Sequence, residues 1–217
     1  MDELDLDPKP DHKSLEDLLR EGKLTSPGAV QVALGIRELL GFDDPLALTL
    51  RAVAFAADKH RNQRRKDEEA SPYINHPVAL ARLLVCEAAE RDPATLAAAL
   101  LHDTVEDTDT SFEELEKHFG KAVAGIVREV TDDKSLPRAE RKRLQVEHAA
   151  HASLQAKAVK IADKICNLRD INASPPADWS IERKREYFDW SRRVVDQIRG
   201  VHPRLEHLFD AEYARRP

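Results

Sequence analysis

The sequence predicts an all-α fold, on three observations. Glycine is scarce, at 7 of 217 residues, while the strong helix formers Ala, Leu, Glu, Lys and Arg dominate. Aromatics make up only 5% and β-branched residues seldom run together, which leaves little material for strands. The third observation is helix punctuation that recurs along the chain. Asp92-Pro93 reads as an N-cap and first-turn proline opening TLAAALLHD. Ser111-Phe-Glu-Glu114 has capping-box spacing, and Gly120 stands where that short helix should end. Leu136-Pro137 opens the charged segment RAERKRLQVEHA. Ser153 caps a stretch running through Ala156, Val159, Lys160 and Asp163 to Asn167. Pro175-Pro176 interrupts the chain before a helix carrying Tyr187, Phe188 and Trp190; Phe188 and Trp190, with Trp179, are expected to pack that helix against the core. About ten helices in a single domain over residues 46–217 are expected. Residues 1–45 differ, with Pro8, Pro10, Pro27 and Pro45 around two short amphipathic segments near Leu15 and over Val30–Leu40. They read as an N-terminal helical extension.

Composition excludes several classes. With 34 Lys plus Arg against 40 Asp plus Glu, the net charge is −6, which argues against generic nucleic-acid affinity. No apolar run approaches the roughly 20 residues needed to span a bilayer. The opening MDELDLDPKPDHK is acidic and polar, unlike a secretory signal, so a cytoplasmic protein is expected. Cys86 and Cys166 lack CxxC spacing and read as small core fillers of a reduced protein.

The segment Leu101-His102-Asp103-Thr104-Val105-Glu106-Asp107 is where chemistry concentrates. An imidazole and three carboxylates follow an apolar run, at the end of a helix anchored in the core. If that helix continues, His102 pairs in register with Glu106, and Asp103 with Asp107. Burying such a cluster is costly without a cation or partner; the alternative reading of the segment is a solvated acidic helix end. His76 lies between Pro72 and Pro77 at a helix entrance, and Asp163 interrupts an otherwise apolar helix with Asn167 one turn on. His76, His102, Asp103 and Asp163 together make a mixed nitrogen–oxygen set suited to a divalent ion such as Mn²⁺, with no thiolate. His12, His118, His148, His151, His202 and His207 read as surface or packing residues. His60 sits in the basic run Lys59–Lys66, five Lys or Arg in eight positions.

HDTVED, the upstream KHRNQRRKDEEASPYINHP and the downstream VTDDKSLPRAERKRLQVE and KAVKIADKICNLRDI resemble the HD-superfamily hydrolase domain of the RelA/SpoT family, above all its stand-alone metazoan-type form. The resemblance spans roughly residues 46–200 and implies an HD-superfamily helical domain. It also implies Mn²⁺-dependent removal of the 3′-pyrophosphate from guanosine tetra- and pentaphosphate, (p)ppGpp. The metal ligands would be His76, His102, Asp103 and Asp163, and the catalytic acids Glu106 and Asp107. Arg65 would stack on guanine, with Lys66 near base or phosphate. Tyr73 and Asn167 would line the nucleoside pocket. Arg138, Arg183 and Tyr187 match phosphate-binding positions, and the other charges of the Arg138 helix are expected to be plain surface.

Two rival readings remain. The same pocket suits a phosphatase acting on another nucleotide, NADPH for example. A non-catalytic alarmone-binding module is a further alternative, although a pure binder does not need the metal set and acidic pair. The expected partner is a small-molecule nucleotide, with no nucleic acid or membrane; homo-oligomers are left open.

Overall fold

The computed structural model describes residues 44–217. The helical extension expected before residue 44, its two amphipathic segments and His12 lie outside the described residues. The described chain forms α1 (Pro45–Lys59), α2 (Asn75–Arg82), a π-helical turn (Leu83–Glu87), α3 (Pro93–Leu101), α4 (Thr104–Asp107), α5 (Phe112–Val130), α6 (Arg138–Ala149), α7 (Leu154–Ala173), α8 (Ile181–Asp196) and α9 (Pro203–Tyr213). Among the described residues no strand forms; one isolated bridge joins Arg64 to Pro72. The all-α prediction holds.

The caps form as the sequence indicates. The Asp92 carboxylate accepts from Thr95 N at 3.1 Å, Ser111 Oγ from Glu114 N at 3.1 Å and Ser153 Oγ from Ala156 N at 3.2 Å. Each satisfies a first-turn N–H that the helix itself leaves unpaired. Gly120 has φ +81° and ψ 167°, so α5 is two helical pieces meeting at a break. Only glycine takes that conformation without strain.

α3 and α7 form the centre. α3 touches α1, α2, α5 and α7, and α7 in turn packs against α9 and α8. Thr95, Ala97, Ala98, Ala99, Leu100 and Leu101 of α3 are all buried, as are Ile161, Ile165 and Leu168 of α7. Each fully buried Leu or Ile contributes about 1.5–3 kcal/mol by leaving water. Small alanines on α3 let its neighbours approach closely, and the polar end of that helix is thereby held at a fixed place.

One expectation fails here, and one open condition is settled. The helix does not run on through His102 and Asp103; α3 stops at Leu101, and Asp103 sits at φ −97°, ψ −3°. Thr104 Oγ1 donates to Leu101 O at 2.7 Å, a local bond that helps close the turn before α4 begins. Cys86 is exposed rather than a core filler, while Cys166 is buried. Cys86 lies in the π-helical turn, whose extra residue shifts the helical register and turns the thiol outward.

Candidate active site

Four residues from two helices and one turn converge. His76 enters in the first turn of α2, His102 and Asp103 occupy the turn after α3, and Asp163 lies midway along α7. One ligand atom from each of His76, His102 and Asp103 falls within 4.8 Å of the others. Asp163 Oδ1 is 3.2 Å from His76 Nε2 and 3.9 Å from His102 Nε2. His102 Nδ1 donates to Ala99 O at 2.9 Å, which turns Nε2 toward the carboxylates. That Nε2 is buried without a well-aligned hydrogen-bond partner, although Asp103 Oδ2 is 2.8 Å away. Positive charge on or beside Nε2, from a proton or a metal ion, makes that approach favourable.

The electrostatics agree. Burial opposes charge on His102, yet the Asp103 and Asp163 carboxylates lift its pKa to about 9. Burial likewise opposes ionisation of Asp163, but Lys164 and the two histidines hold it well below the usual carboxylate range. The set's nitrogen–oxygen chemistry suits a divalent ion. Around it, Tyr73 Oη donates to Asp103 Oδ2 and Asn167 Nδ2 donates to Asp163 Oδ1 at 2.6 Å, fixing both carboxylates.

Glu106 and Asp107 extend from α4 beside this set. Glu106 Oε2 accepts from Asp132 N at 3.2 Å, and Oε1 lies 3.4 Å from Arg141 Nη1. Burial first, then the charges of Asp132 and Asp103, push its carboxyl up to about 7. Asp107 is held on both oxygens, by Lys134 Nζ on Oδ1 and by Gln63 Nε2 on Oδ2 at 2.9 Å.

A cavity of about 290 Å³ opens over these groups, lined among others by Arg65, Tyr73, His76, Asp103, Glu106, Asp107, Arg138, Asp163, Asn167 and Tyr187. His102 sits behind this lining, against Asp103. Arg65 is tethered to Asp170, with its guanidinium 5.6 Å from the Tyr73 ring centroid. Two sequence candidates lie elsewhere. Lys66 is exposed outside the lining, and Arg183 packs 4.5 Å over the Trp179 ring with Asp178 as its ion partner at 3.6 Å.

The structure adds residues that the sequence reading passed over. Arg141, Lys142, Lys164 and Trp190 also line the cavity, so α6 is more than plain surface. Lys142 Nζ lies 4.6 Å and Lys164 Nζ 4.3 Å from the Trp190 ring centroid. Burial, aided by Arg138 and Lys164, lowers Lys142 to about 8. Trp190 is both core and wall, and its Nε1 donates to Lys142 O at 3.0 Å. The available signal was spacing: Arg138, Arg141 and Lys142 fall at i, i+3 and i+4, on one helical face.

Comparison with known proteins agrees with this geometry. A family model described as an HD domain matches residues 52–188. The chain is 56% identical over 170 residues to guanosine-3′,5′-bis(diphosphate) 3′-pyrophosphohydrolase MESH1 of Danio rerio, covering 78% of this chain and 94% of that one. It is 57% identical over 167 residues to the Homo sapiens protein of the same name, covering 75% and 93%. A solved structure described as a metazoan ortholog of SpoT that hydrolyzes ppGpp and plays a role in starvation responses superposes with TM-score 0.76 at 50% identity, covering 78% of this chain and 96% of that one. With an HD-domain match over most of its length and such relatives covered almost end to end, this chain belongs to the HD-domain family, on the RelA/SpoT branch that includes the stand-alone metazoan proteins.

Proposed function

We propose that this chain is a Mn²⁺-dependent (p)ppGpp 3′-pyrophosphohydrolase, releasing pyrophosphate and GDP or GTP and so lowering the alarmone level. The observation that carries it is the convergence of His76, Asp103 and Asp163 on one cavity with Glu106, Asp107 and the cations of α6, with His102 behind them against Asp103. Similarity to pyrophosphohydrolases of that specificity supports the choice of substrate.

His76, His102, Asp103 and Asp163 would hold the divalent ion, which would supply Lewis acidity toward the 3′-diphosphate and lower the pKa of water there. Glu106, with its carboxyl near 7, accepts the proton of a water attacking the phosphorus joined to the 3′ oxygen. Asp107, fixed on both oxygens, orients that water. The bond from phosphorus to the 3′ oxygen breaks, and pyrophosphate leaves intact. Arg138 and Lys142 bind phosphate oxygens, at about 1.5–3 kcal/mol for each well-formed charge-assisted contact. Tyr187 lines the same phosphate region. Arg65, steadied by Asp170, stacks on guanine, Tyr73 closes the nucleoside side, and Asn167 reaches the ribose.

The test is product analysis after incubating the full chain with ppGpp and Mn²⁺, beside a chelated control. Pyrophosphate plus GDP in the first arm and neither in the second is expected. Release of orthophosphate, or faster turnover of NADPH than of ppGpp, would overturn the substrate assignment.

A further inference from the structure

His60 and Gln63 lie outside the catalytic and metal sets, yet one hydrogen-bonded line runs from them to Asp107. His60 follows α1 directly and is 2% exposed. Its Nδ1 is 2.6 Å from Gln63 Oε1, and Gln63 Nε2 is 2.9 Å from Asp107 Oδ2. The backbone around Gln63 is pinned as well: its N donates to His60 O at 2.9 Å, and its O accepts from Tyr73 N at 3.1 Å. The His60 ring lies 4.8 Å from the Tyr73 ring, and the hydroxyl of Tyr73 holds Asp103.

The direction of every donor in this line is fixed by its end. An ionised carboxylate only accepts, so Gln63 must turn its NH₂ toward Asp107 and its carbonyl toward His60. His60 then has to donate from Nδ1. Its Nε2, buried without a partner, carries a lone pair in that tautomer. The opposite tautomer would bury an orphan N–H and set the Gln63 carbonyl against the carboxylate, which is the costlier arrangement.

We propose that His60 and Gln63 are a positioning pair that sets the orientation of the Asp107 carboxylate, an inference that rests on the hydrolase reading above. The pair touches no substrate and acts through Asp107.

The test combines kinetics with ring-nitrogen NMR on the full chain. His60→Phe keeps an aromatic ring on Tyr73 without the donor, whereas His60→Asn keeps a donor without the ring. With ppGpp and Mn²⁺, Gln63→Leu and His60→Phe should each lose about tenfold or more in kcat, with KM within about twofold. His60→Asn should stay within about threefold of wild-type kcat. Long-range proton–nitrogen spectra of wild type should show His60 protonated at Nδ1 alone, a signature that Gln63→Leu erases. Wild-type kcat in both Gln63→Leu and His60→Phe would overturn the proposal. So would equal damage in His60→Asn and His60→Phe, or a proton found on Nε2. A wild-type protein that turns over no ppGpp overturns the hydrolase reading instead, and the ring nitrogens alone then decide on the pair.

Discussion

His102 Nε2 and Asp103 Oδ2 stand 2.8 Å apart, while the other ring nitrogen donates to Ala99 O. The contact is favourable only with positive charge on or beside it, and a divalent ion can supply that charge in place of a proton. Mn²⁺ at about 100 times its Kd should therefore stabilise the wild-type chain by about 2.7 kcal/mol, read as a rise in Tm that EDTA reverses. Asp103→Ala and His102→Ala should lose that rise, together with pyrophosphate release. An undiminished Mn²⁺ shift in both variants would refute the ligand set.

Glu106 separates binding from chemistry. Glu106→Gln keeps an oxygen that can accept from Asp132 N at the site of the present 3.2 Å contact, but it cannot take a proton. The Mn²⁺-induced rise in Tm should persist, while kcat drops by about 10²–10⁴. Steady-state kinetics beside a melting curve on the same preparation checks both halves.

The pH profile follows from two shifted groups. Glu106 must be ionised to act as a base, and its carboxyl stands at about 7, so kcat/KM rises with pH through that region. A bound cation offsets the Asp103 contribution and moves this limb lower. Lys142 must be protonated to hold phosphate, and it stands at about 8, so kcat/KM falls as pH climbs past that value. The expected curve is a bell. Lys142→Arg should extend the plateau to higher pH, because a guanidinium stays charged; an unmoved falling limb would remove Lys142 from the phosphate contacts.

At Gly120 the cost of a side chain is purely conformational. Its φ is +81°, and a Cβ there would meet nothing within 4 Å. Gly120→Ala should lower stability by about 1–3 kcal/mol with no change in KM, measured by urea unfolding and steady-state kinetics.

Local chemistry was the legible part of the sequence. The Asp92, Ser111 and Ser153 caps are each decided within one turn, and all three form. Asp163 was readable as an aspartate that an apolar helix would not hold without cause. Three features escaped. The break at His102–Asp103 turns on a short-range bond from Thr104 to Leu101 O that competes with helix continuation. Cys86 faces out because a π-helical turn shifts the register that a regular 3.6-residue period assumes. Arg141 and Lys142 were taken for surface because a charged helix facing a cavity has the same composition as one facing water.

α6 contributes a single buried residue within its length, Ala149, whereas α3 buries six of its nine residues and α7, which holds Asp163, eleven of its twenty. On the proposed reading, ligand geometry and anion preference are thus written on separate pieces of the chain. Exchanges along α6 should then retune which phosphorylated nucleotide is accepted at little cost to folding, while the ligand set stays under the strict discipline of the interior. Diversification of substrate within this architecture should begin on that helix.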